Sequence, residues 1–254
     1  MRIDLNSDLG ESFGAWTMGD DQALMTSITS ANIACGFHAG DPRVLRQTIR
    51  LAKQHGVAVG EQPGFPELLG FGRRDMHLAT DELEDLVLYQ LAAAGGVAAA
   101  EGMRLQHVKA HGALYNMAAR NPALAAAIAR AVAAFDPTLI LLGLPNSALL
   151  QEGEAAGLRV AAEVFADRTY ERDGSLTSRR LPGSVIHDPA LVVARAVNMV
   201  TTGQVRATDG TIVPLRAHTI CLHGDTPGAA GLARQVRTAL ESAGVKVAAL
   251  ATTL

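Results

Sequence analysis

Three short segments carry side chains suited to proton transfer and charge stabilisation. Leu5-Asn6-Ser7-Asp8-Leu9-Gly10-Glu11 sets the Asp8 carboxyl beside an amide and a second carboxyl. Cys35-Gly36-Phe37-His38-Ala39-Gly40-Asp41 places an imidazole among glycines, which let a ligand approach the backbone closely. Val108-Lys109-Ala110-His111 alternates an ammonium and an imidazole, so both fall on one side of an extended chain. A lysine at the end of a buried strand is costly unless paired. Proton-transfer catalysis needs a base, an acid and a group to meet developing negative charge. Asp8, His38, Lys109 and His111 are therefore the candidate catalytic residues.

A second set offers contacts to a substrate: Asn6, Glu11, Asn32, Asp41, Arg73, Tyr115, Glu163, Arg168, His223 and Asp225. Several have a plainer role open to them. Asp41 precedes Pro42 and fits a helix N-cap. Arg73 follows Gly70-Phe71-Gly72, where it could clamp a carboxylate in two-pronged fashion or simply be solvated. Asp8 fits a turn as well as a general base or metal ligand. Cys35 reads as a small packing residue, and His55, His77 and His187 as structural. No phosphate-cradling G-x-x-x-x-G-K-[ST] occurs, no H-E-x-x-H and no G-x-S-x-G.

These residues need strands to aim them. Short apolar runs at Ile3–Asn6, Ala31–Cys35, Val57–Gly60, His107–Ala110, Leu139–Leu142, Arg159–Glu163, Thr219–Leu222 and Val245–Leu250 suit strands buried on both faces. Helices between them are punctuated by Asp41-Pro42 with His55-Gly56, Asn121-Pro122, Asp188-Pro189, and Thr226-Pro227 with Gly244. Thr80 is expected to cap a further helix, and Gly95-Gly96 to interrupt it. Repeated strand–helix units imply parallel strands with right-handed crossovers. The expectation is an α/β fold: one TIM-like (β/α) barrel domain of seven or eight parallel strands over residues 1–254. The polar residues then gather at the C-terminal ends of the strands, where barrel enzymes build their sites. Glu61–Ala79 and Ala166–Ile186 are the long irregular stretches, of a length usually kept for function.

Composition narrows the classes. The net charge is −3 and no basic run occurs, which argues against a nucleic-acid partner. No apolar stretch of 18 residues lacks a charge or breaker, and no signal-peptide pattern opens the chain. Two scattered cysteines form no disulfide framework, so a cytoplasmic setting is expected.

Six ordered stretches carry a family resemblance: Asp4–Gly14, Ser30–Pro42, Phe71–Arg74, Val108–Asn116, Glu163–Tyr170 and Ile220–Ala229. In these the chain resembles the LamB/YcsF family, the A-type component of 5-oxoprolinase. The resemblance implies a distorted barrel related to polysaccharide deacetylases. It implies ATP-dependent opening of 5-oxo-L-proline to L-glutamate together with 5-oxoprolinase subunits B and C, and leaves self-association open. ATP is then used by the complex, at a place this chain does not reveal. Many members carry Ala-His-Pro where this chain has Glu61-Gln62-Pro63. In deacetylase-type barrels an Asp and two His hold a divalent metal. Asp8 and His38 could supply two ligands, but Gln62 replaces an imidazole poorly, so no metal is expected. The alternatives are a metal-dependent carbohydrate N-deacetylase and a non-catalytic protein that binds oxoproline for its partners.

Overall fold

A computed structural model describes residues 1–222, 224 and 228–253. Its strands, in chain order, are β1 (Arg2–Leu9), β2 (Ser30–Ile33), β3 (Ala58–Glu61), β4 (Leu105–Val108), β5 (Ile140–Gly143), β6 (Arg159–Phe165), β7 (Gln204–Arg206), β8 (Ile212–Pro214), β9 (Thr219–Leu222) and β10 (Lys246–Val247). Its helices are α1 (Asp21–Leu24), α2 (Pro42–His55), α3 (Thr80–Ala100), α4 (Gly112–Ala118), α5 (Pro122–Phe135), α6 (Ala148–Ala155), α7 (Pro189–Thr202) and α8 (Ala229–Ser242).

β1 to β6 pair in sequence order, all parallel, and β9 joins β6 to β1, closing a seven-stranded barrel. β10 adds to β1 only at Arg2 and Ile3, so the expected last strand shrinks to two residues followed by a turn at Leu250–Thr252. β7 and β8 form an antiparallel hairpin outside the ring, an element the strand–helix pattern does not include. Asn121, Asp188 and Asp41 cap α5, α7 and α2, and Gly56 ends α2 in the left-handed conformation.

Two expectations about α3 fail. Thr80 is its first helical residue, and the Glu82 side chain instead accepts from the backbone N–H of Ala79 at 3.1 Å. Gly95 and Gly96 do not interrupt it. They continue the helix because α5 packs against it: a Cβ on Gly95 would lie 2.5 Å from Cζ of Phe135. Among the described residues, α3 alone is long and apolar enough to span a membrane; its buried stripe of Leu83, Val87, Leu91, Ala94 and Ala98 packs within the helical shell. The Thr226-Pro227 helix start lies outside the described residues, with α8 following.

Side chains alternate along β1. Ile3, Leu5 and Leu9 join the main core between barrel and helices, while Asp4, Asn6 and Asp8 face inward. Barrel interiors are usually filled by branched apolar residues. Here that filling is confined to a small plug of Ile140, Leu142, Ala161 and Leu250.

Candidate active site

The interior is instead a hydrogen-bonded polar column. At its foot the Asp4 carboxylate accepts from Ser30, Thr29 and Thr219 hydroxyls. Burial raises its pKa to about 6, despite those hydrogen bonds. Next, Asn6 Nδ2 donates to Glu163 Oε1 at 3.0 Å and to Thr219 Oγ1 at 2.7 Å. Asn32 Nδ2 donates to Asn6 Oδ1 at 2.7 Å and to Asp8 Oδ1 at 2.8 Å. Asn32 Oδ1 meets His107 Nε2 at 2.7 Å, so that ring nitrogen carries the hydrogen. Gly60 makes room for the His107 ring, since a Cβ there would lie 2.2 Å from Nε2. Burial, then Lys109, lowers the pKa of His107 to about 3, keeping it neutral.

Lys109 stands at the head of the column. Its ammonium lies 2.6 Å from Asp8 Oδ1, 3.2 Å from Glu163 Oε1 and 3.0 Å from Cys221 Sγ. Burial by itself pushes a lysine pKa down; Asp8, Cys221 and Glu163 outweigh it and hold Lys109 well above its ordinary value. A buried ammonium with two carboxylates is the pairing that its position requires.

Above Lys109 opens a cavity of about 750 Å³. Asp8, Lys109, His111, Tyr115, Arg73 and Arg168 all line it, joined by Arg120, Arg179 and Arg180. The His111 pKa is lowered to about 4, chiefly by burial. Its Nε2 lies 2.9 Å from the Phe71 carbonyl, so Nε2 carries the hydrogen and Nδ1 a lone pair. His38 lies behind, its ring stacked on His111 at 3.9 Å between centroids and 8° between planes. Burial and the neighbouring His111 drive the His38 pKa well down. Burial and Glu163 raise that of Tyr115.

The four candidate catalytic residues thus converge, three on the cavity wall and His38 one layer behind. The substrate-binding candidates divide. Arg73 is exposed at the rim, with its guanidinium 4.9 Å from the centroid of the Phe71 ring. Arg168 is buried and donates to the carbonyls of Ser184 and Thr177, tying the loop after β6. Asn6, Asn32 and Glu163 are fully buried under Asp8 and Lys109, where they position those groups and do not line the cavity. Glu11 is buried, with Oε1 3.9 Å from His111 Nδ1. Asp41 is corrected to a structural role: it caps α2 and accepts from Gly14 N–H at 2.9 Å, outside the cavity lining. His223 and Asp225 lie outside the described residues.

Sequence reasoning passes over His107 and Cys221. A signal for His107 exists, since 107, 109 and 111 alternate on one face of the chain. Nothing in spacing alone marks Cys221, which meets β1 only through the closure of the ring. Glu11, His38 and His111 also bring donor atoms within 4.8 Å of one another, an arrangement that could hold a metal ion.

The family model described as LamB/YcsF matches residues 3–254. The 5-oxoprolinase A-subunit of Methylococcus capsulatus is 56% identical over 248 residues, covering 98% of this chain and 95% of its own. Its counterpart from Bordetella pertussis is 55% identical over 247 residues, covering 97% and 98%. The crystal structure of a lactam utilization protein from Thermus thermophilus is 51% identical and superposes with a TM-score of 0.93 over 98% of this chain and all of its own. A deacetylase solved with its substrate shares the fold alone, at 14% identity and a TM-score of 0.50, with coverage of 99% and 90%. Matched along almost its whole length by that model and by relatives above half identity, the chain belongs to the LamB/YcsF family.

Proposed function

We propose that this chain is the ring-opening component of an ATP-dependent 5-oxoprolinase, converting 5-oxo-L-proline to L-glutamate with subunits B and C. The observation that carries it is the Lys109 ammonium, buried between Asp8 and Glu163 yet forming part of the cavity wall. The kinship with 5-oxoprolinase A-subunits and with a lactam utilization protein supports the substrate.

A lactam resists water because its amide is resonance-stabilised. ATP removes that obstacle if the partner subunits phosphorylate the amide oxygen, leaving this chain to manage water and protons. Asp8 and His111 are the lone-pair bearers on the wall. Asp8 takes a proton from the attacking water and neutral His111 passes it to the ring nitrogen as the carbon–nitrogen bond breaks, leaving an acyl phosphate that a second water hydrolyses to glutamate and inorganic phosphate. Lys109 meets the negative charge that develops on oxygen. Arg73 holds the substrate carboxylate; Arg168 has two of its donors committed to backbone carbonyls.

The test is to combine the purified chain with candidate B and C subunits, ATP and 5-oxo-L-proline, and follow glutamate release. Release that depends on this chain is expected. Equal release without it, or with Lys109→Ala in its place, would remove it from the chemistry.

A further inference from the structure

Beside the Asp8–Lys109 pair lies a second cluster, of which ring opening uses His111 alone. Glu11 follows β1, His38 follows β2 and His111 follows β4; one donor atom from each falls within 4.8 Å of the others. All three side chains are buried. His38 is fully enclosed, and neither ring nitrogen completes a well-formed hydrogen bond, its one polar side-chain interaction being with Gln62. Burying such a nitrogen without a partner costs free energy, so something is expected to occupy it. His111 is already oriented for a ligand. The Phe71 carbonyl takes its Nε2 hydrogen at 2.9 Å, and the Nδ1 lone pair faces Glu11 Oε1 at 3.9 Å. A carbonyl that fixes one ring nitrogen so that the other can coordinate is how proteins orient metal-binding histidines.

We propose that Glu11, His38 and His111 bind one divalent transition-metal ion through a carboxylate and two imidazoles. The claim concerns a site and does not rest on the ring-opening reading; with an ion on Nδ1, the proton relay assigned to His111 would pass to Asp8. Two imidazoles select zinc-like ions over magnesium or calcium, which prefer all-oxygen shells. Three protein donors also leave coordination positions open. An ion there supplies Lewis acidity at the wall that His111 forms.

The ligand set differs from the one the sequence puts forward. Asp8 is committed elsewhere, its Oδ1 taking Lys109 at 2.6 Å and Asn32 at 2.8 Å. Gln62 Nε2 now sits 2.9 Å from His111 Nδ1 and must turn aside, which would bring round its own buried, unbonded Oε1. The parallel His38 and His111 rings must tilt towards a common point, which for His38 means giving up its interaction with Gln62. Glycine at 64 keeps its nitrogen within reach, because a Cβ there would lie 2.4 Å from Nδ1.

The experiment strips the full chain with a chelator and titrates it with Co²⁺, then with Zn²⁺. One Co²⁺ per chain is expected, with visible ligand-field absorption that Zn²⁺ abolishes by displacement. Glu11→Gln and His111→Asn, each checked for folding by circular dichroism, should weaken binding by at least about 10-fold. Asp8→Asn should leave stoichiometry and spectrum unchanged. Absence of stoichiometric binding in the unmodified chain overturns the proposal. So does binding indifferent to Glu11→Gln and His111→Asn, or binding lost in a folded Asp8→Asn chain. None of these readouts involves turnover, so their failure leaves ring opening untouched, and failed turnover leaves them standing.

Discussion

Lys109 holds two carboxylates, at 2.6 and 3.2 Å, with almost no solvent. Lys109→Met keeps the apolar stem but strands Asp8 and Glu163 as like charges. Glutamate release by the assembled complex should fall about 100-fold or more. Thermal unfolding should show a loss of roughly 3–5 kcal/mol, the cost of breaking a buried ion pair from one side. Arg73→Ala, at the exposed rim, should raise KM for 5-oxo-L-proline about 10-fold with little change in kcat, since it removes binding shared by ground and transition states.

His107 sets a pH dependence whose sign follows from its environment. Its pKa is depressed from 6.5 to about 3, so the fold favours the neutral ring. The associated stability is therefore present above pH 6.5 and is lost as pH falls towards 3. At roughly 1.4 kcal/mol per unit, the full loss is on the order of 5 kcal/mol. Melting temperatures measured between about pH 7.5 and 4.5 should fall steeply. His107→Gln, which can still donate to Asn32 Oδ1, should make that profile shallower, leaving the shares of the likewise depressed His38 and His111; an unchanged slope would assign it wholly to them.

At the level of elements, two adjacent glycines in α3 test packing against propensity. Gly96 has nothing within 4 Å of where a Cβ would be, so Gly96→Ala should stabilise by up to about 1 kcal/mol in urea unfolding. Gly95→Ala gains the same propensity but drives a methyl into Phe135, and should destabilise by about 1–3 kcal/mol. The expectation of a helix break at this pair fails because propensity ignores the neighbouring helix. Capping signals are better guides: Asp41, Asn121 and Asp188, each followed by proline, mark true helix starts. The β7–β8 hairpin has a legible mark of its own. Asp209-Gly210 between Thr208 and Thr211 is a hairpin signal, and Gly210 has the positive φ of 88° that such turns use.

For the whole molecule, closure is the property least visible in the chain. The strand–helix alternation shows parallel strands, and their number shows a barrel, yet the ring depends on β9 reaching both β6 and β1 across intervening segments. That long-range step is why Asp8, Lys109 and Glu163 can be named from sequence but their mutual distances cannot. It also hides Cys221 and the plug. Leu250, fully buried against Ile140, Leu142 and Ala161, stoppers the far end of the barrel. Leu250→Ala should cost about 2–5 kcal/mol in denaturant unfolding, with the opposite mouth and its chemistry preserved in the remaining folded fraction.

Asp4, Asn6 and Asp8 alternate with Ile3, Leu5 and Leu9 along one strand, and that arrangement has a bearing on assembly as well as catalysis. Were β1 to slip by a single residue against its neighbours, three aliphatic groups would enter the water-seeking interior. Two carboxyls and an amide would be thrust into the oily layer beneath the helices. Such a mispaired sheet has no low-energy resting place. The polar groups that lead up β1 to Asp8 at the mouth of the barrel therefore also proofread its construction.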